Sequence, residues 1–172
     1  MGNALRSLGA VVFDPAHDSV MAARLEPEAS GKGVVILVDH AHADAVRERL
    51  SGNGDRDVAL VSAPNVAAMI SAAAEFHPGA SPADNAAGMA QAAARIRAAE
   101  LAANETEGVV DLVAELADEA PDAEVLTLVA GTRVTDGDLA AATSVIARRF
   151  PALRIETLRG PAATPAFQIG LE

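Results

Sequence analysis

Cysteine is missing from this 172-residue chain, which removes disulfides, thiolate metal ligands and cysteine nucleophiles together. That absence suits a cytoplasmic protein. Tryptophan and tyrosine are missing as well, and four phenylalanines make up the whole aromatic content, 2% of residues. The hydrophobic share is nevertheless 51%, so the interior is built from Ala, Val and Leu, which predicts helices packed closely on small side chains. Lys32 is the one lysine, and with twelve arginines it stands against 24 acidic residues, a formal net charge of −11. Such a chain repels a phosphate backbone, which excludes nucleic acid as the expected partner, and it disfavours anionic membrane surfaces. Acidity otherwise means solubility. No apolar run approaches the roughly 20 residues of a membrane span, so no membrane insertion is expected. "MGNALRSLGAVVF" is too short in its apolar part for a secretory signal, and Arg6 stands where myristoylation of Gly2 needs Ser or Thr.

What is present is alternation. Residues 2–8 read as the end of a helix and "GAVVF" (9–13) as a buried strand, followed by a loop. "GVVILV" (33–38) is an unbroken apolar run of strand length, the pattern of a parallel strand covered on both faces. Ala43, Val46 and Leu50 then recur at helical spacing until "SGNGD" breaks the helix. "DVALVS" (57–62) is a third strand, and Pro64 opens a helix striped by Val66, Met69, Ile70 and Ala73. In "SPADNAAGMAQAAARIRAAEL" (81–101), Ser81 can cap, Pro82 suits the first turn and Asp84 the positive end, with Arg95 and Arg97 towards the other end. Val109, Leu112, Val113 and Leu116 mark another helix. "EVLTLVA" (124–130) is a strand. Thr135 and Asp138 resemble a capping box opening a helix to Phe150. "LRIET" and "AFQIGL" end the chain as strands. The class is therefore α/β with a largely parallel sheet and helices on both faces. More than sixty residues without a strand signal separate the third strand from 125–129. Two small lobes around the long helix at 81–101 are expected, divided as 1–101 and 102–172.

Ligands of open α/β sheets gather outside the carboxyl ends of the strands. Asp39 and His40 follow one strand, Ser62 and Asn65 another, Thr132 and Arg133 a third; these six are the candidate binding rim. The competing reading is structural, because strand-to-helix turns are polar wherever backbone must be capped. His42 and Asp44 extend the first turn, and a His-x-His pair can bind metal, yet no spacing elsewhere supplies a third ligand. His17 and His77 read as isolated loop residues. "SGKG" (30–33) fails as a phosphate loop, with Glu26 where glycine is required and Gly33 where Ser or Thr would hold magnesium. "TDGDL" (135–139) is better explained as a helix cap than as an acidic metal loop. No Gly-x-Ser-x-Gly elbow occurs, and the scattered carboxylates single out no acid–base pair. No catalytic residue, metal or cofactor is assigned.

Two segments resemble a known family. "FHPGASPADNAAGMAQAAARIRAAEL" (76–101) is similar to a stretch in the C-terminal region of the bacterial fatty acid kinase large subunit, through Phe76, His77, Pro78, Asn85 and Met89. The closing segment, from "EVLTLVAGTRVTDGDL" to "RRFPALRIETLRGPAATPAFQIGLE", resembles that family's final strand–helix–strand–strand, with Phe150, Pro151, Gly160 and the terminal "IGLE" in register. "LRSLGAVVF" and "GVVILVDHAHADAV" resemble the two elements upstream. Members carry a dihydroxyacetone-kinase-like (DhaL-type) ATP-binding domain and a middle domain with histidines implicated in phosphoryl transfer, and nothing here matches either. The resemblance implies a DegV-like lobe whose first strand precedes Met1, in a shortened relative or a piece of a longer protein. Asp39 and His40 replace two asparagines of the family, Gly160–Ala163 replace a Gly-Gly-Gln-Pro loop, and "LAANETEG" replaces a hairpin.

The expectation is a non-catalytic domain that contacts a DegV-type fatty-acid-binding protein. The alternatives are a small-ligand or fatty-acyl binding protein using the cleft at the strand ends, and, third, an enzyme using the turn of Asp39, His40 and His42. A homo-oligomer is compatible with the sequence.

Overall fold

The described chain begins on Gly33, whose φ of 86° lies in the left-handed region that a side chain would disfavour. In the computed structural model, residues 33–50, 58–160 and 165–172 are described; the expected elements at 2–13, His17, Lys32 with its loop, "SGNGD" and 161–163 lie outside them. Strands and helices alternate as β1 (Val34–Asp39), α1 (His40–Leu50), β2 (Val58–Ala63), α2 (Val66–Ala74), α3 (Pro82–Arg95) and β3 (Arg97–Leu101). They continue as α4 (Thr106–Glu119), β4 (Val125–Ala130), α5 (Asp136–Arg149), β5 (Arg154–Arg159) and β6 (Phe167–Leu171). The protein is α/β.

Two compact units divide the chain within α2 and α3. One joins Asn65–Ala68 to Ala94–Glu172, and the other joins the described residues up to Pro64 to Met69–Ala93. In the second of these units β1 and β2 pair in parallel, from Val34 opposite Val58 to Asp39 opposite Ala63. Val38, Ala43 and Val46 are buried together, flanked by Ile36, Leu50 and Leu60. The helical spacing of Ala43, Val46 and Leu50 thus turns one face of α1 to the sheet. Val38 is the buried residue of β1 and the rest of the strand is half-buried, a looser covering than its unbroken apolar run suggests.

The other unit holds a four-stranded sheet in the order β3-β6-β4-β5. β4 and β5 run parallel, but β6 is antiparallel to both its neighbours, so this sheet is mixed. Phe167, Ile169 and Leu171 alternate onto one face and join Leu126, Leu128, Val109, Val113 and Ile146 in a fully dry core. Each such side chain contributes about 1.5–3 kcal/mol by leaving water. Gln168 and Gly170 point to the opposite face. There the first turn of α2 lies on β6: a Cβ on Gly170 would stand 2.5 Å from Ala67 Cβ and 3.0 Å from Ile96 Cγ2. This is the close packing on small residues that the composition predicts.

One expectation is corrected. The helix expected to run to Leu101 ends at Arg95, and Arg97–Leu101 form a strand along β6, from Arg97 opposite Leu171 to Leu101 opposite Phe167. Nothing in "RAAEL" favours a strand. Its pairing is tertiary: wholly buried β6 must satisfy its backbone groups on both sides, and that demand outweighs the helix propensity of Ala, Glu and Arg.

Candidate functional site

Asp39 closes β1 and caps α1. Its Oδ1 accepts from the backbone N–H of His42 at 3.0 Å and lies 2.6 Å from His42 Nδ1. This is the third residue of the helix, the usual reach of an N-cap carboxylate. His40 is exposed, and Asp44 pairs with Arg47 one turn along. Ser62, half-buried, sits opposite Val38 beside this cap, so Asp39, His40 and Ser62 share the carboxyl end of the two-stranded sheet. Among the described residues, no group of three or more His, Asp or Glu is placed to hold a metal ion.

The remaining three rim candidates belong to the other unit. Asn65 is 1% exposed, and both ends of its amide are engaged. Nδ2 donates to the Ile169 carbonyl at 2.9 Å, and Oδ1 accepts from the Ala68 N–H at 3.1 Å. Asn65, not Pro64, therefore caps α2. Gln168 completes the joint: Oε1 accepts from the Val66 N–H at 3.2 Å, and Nε2 donates to Glu100 Oε1 at 2.6 Å. Two side-chain amides thus satisfy two orphan N–H groups of a helix start seated on a buried strand. The sequence signal for Gln168 is a lone polar residue inside the apolar strand "AFQIGL".

Thr132 and Arg133 are exposed in the turn after β4. Because β3, β4 and β5 run the same way, their carboxyl ends lie along one edge of the sheet. Two hydrogen bonds cross that edge. Arg133 Nη2 donates to the Ala102 carbonyl at 3.3 Å, and Asn104 Nδ2 donates to Asp138 Oδ2 at 2.9 Å. Asp138 and Thr135 form the expected capping box of α5. The bond from Asn104, followed by those from the Thr135 side chain and backbone, holds the Asp138 carboxyl below its ordinary 3.8, since each donor favours the ionised form. Arg159 closes the edge at β5, donating to the Val134 carbonyl and pairing with Asp136. Asn104 and Arg159 carry no sequence signal, because their partners lie 34 and 25 or 23 residues away.

Geometry therefore defines an α/β protein with polar strand ends in each unit. No helix of the described residues is long and apolar enough to cross a membrane. No protein-family model matches the chain, and no curated protein sequence matches it.

Proposed function

We infer that this chain is a non-catalytic domain of the kind found in the C-terminal region of the fatty acid kinase large subunit, acting in the cytoplasm by contacting a DegV-type, acyl-binding partner. One observation carries the reading. The closing segment folds as β4, α5, β5 and β6, the strand–helix–strand–strand order that the resemblance implies. In the other matched segment, Asn85 is 4% exposed and holds the turn before it. Its Oδ1 accepts from His77 N–H at 2.7 Å and its Nδ2 donates to the His77 carbonyl at 3.0 Å. Pull-down of the folded full chain with a DegV-type fatty-acid-binding protein tests the proposal, with retention expected. No retention, with folding verified by circular dichroism, removes it, as does phosphate transfer from ATP by the purified chain alone.

Thr132 and Arg133, exposed beyond β4, favour a second reading as a small-ligand or fatty-acyl binding protein. Native mass spectrometry of the purified chain separates the two, since co-purified lipid belongs to this one.

A further inference from the structure

β5 is an edge strand: among the described residues no strand lies on its outer side. Arg154 N–H donates to the Glu124 carbonyl and Gly160 N–H to the Ala130 carbonyl. In a parallel ladder the residues between alternate in direction, so Arg154, Glu156 and Leu158 turn their backbones to β4. Ile155 and Thr157 turn theirs outward. Edges of this kind are normally protected by charge, and "RIETLR" is charged. Its charges, however, alternate in sign: Arg154 Nη2 lies 3.2 Å from Glu156 Oε1, with the two side chains 71% and 52% exposed.

We propose that β5 docks a second copy of this chain, β5 against β5 in antiparallel pairing with Ile155 on the two-fold axis. In this register Ile155 faces Ile155 of the other copy and exchanges both backbone hydrogen bonds with it. Arg154 faces Glu156, and Glu156 faces Arg154, on either side of the axis. Thr157 N–H donates to the Leu153 carbonyl across the interface. The Leu153 N–H already donates to the Phe150 carbonyl, so only its oxygen is needed. The alternating charges that would repel an unrelated strand therefore attract an inverted copy of the same one. A register centred on Glu156 would place two glutamates face to face, and charge rejects it. Such an interface is small, so the dimer is a weak one that forms with rising concentration.

The test is sedimentation equilibrium of the full chain at low salt, up to roughly 1 mM. Wild type is expected to shift from monomer to dimer. Arg154→Glu sets glutamate against glutamate on either side of the axis and Glu156→Arg sets arginine against arginine, and each alone is expected to weaken the dimer at least tenfold. Mixing the two variants brings opposite edges together and restores dimerisation. A wild type that stays monomeric throughout overturns the proposal. So do single variants that dimerise as wild type does, or a mixture that remains monomeric.

Discussion

Gly170 is where a single hydrogen atom in place of a methyl group decides the packing. Its missing Cβ lets Ala67 approach β6, and a methyl there would meet the Ala67 Cβ at 2.5 Å. Ala67 cannot rotate that carbon away, because it is fixed to the backbone. Gly170→Ala is expected to cost about 1–3 kcal/mol through overpacking, read as a lower midpoint in urea unfolding. Asp138 is a second such position, held by charge-assisted hydrogen bonds and not by burial. Its folded carboxyl titrates below its ordinary 3.8, so the stability it contributes is present above that value and is lost as pH falls through the lower, folded one. Carboxyl NMR should find Asp138 below 3.8, and Asn104→Ala should move it back up, because the largest donor is then gone. An Asp138 titration unmoved by Asn104→Ala would contradict the bond.

Among the elements, the helix starts are the most legible and β3 the least. Thr135 Oγ1 accepts from the Asp138 N–H at 3.1 Å, and Asp138 reaches back to the Thr135 N–H at 3.1 Å. A spacing of three residues is enough to announce this box. Thr135→Ala should lower stability by about 1 kcal/mol, measured by chemical denaturation, with the helix content of the folded state unchanged. Ser81 behaves alike, its Oγ accepting from the Asp84 N–H at 3.1 Å. The cap of α2 lies one residue beyond Pro64, on Asn65, whose second bond runs to Ile169 across 104 positions. β3 leaves no mark at all. Its alanines favour helix, and only the open side of β6 makes a strand of them. β6, whose reversed direction has no local signature either, is what makes the sheet less parallel than the alternating pattern reads.

Taken as a whole, the molecule carries eleven excess negative charges at pH 7, and their mutual repulsion opposes the compact state. Added sodium chloride screens that repulsion, with a Debye length of about 8 Å at 0.15 M. Raising salt from near zero to that level should lift the thermal midpoint by about 2–4 °C, the equivalent of roughly 1 kcal/mol; a midpoint that falls would show that attractive pairs dominate. The candidate rim is legible in part. Asp39, Ser62, Thr132 and Arg133 do stand at strand ends, because a strand must finish in a polar turn wherever it reaches the surface. Asn65 carries the same local signature and faces the interior instead, since a buried helix start has no water to satisfy it.

Periodicity and caps are properties of neighbours along the chain, a few residues apart, and the alternation of strands with helices can be read from them directly. Which strand lies beside which, that β6 runs against its neighbours, that "RAAEL" extends and that Gln168 and Asn65 turn inward depend on groups dozens of residues distant. Those outcomes follow from the cost of leaving a buried backbone group unpaired, and that cost exists only once the layers have come together.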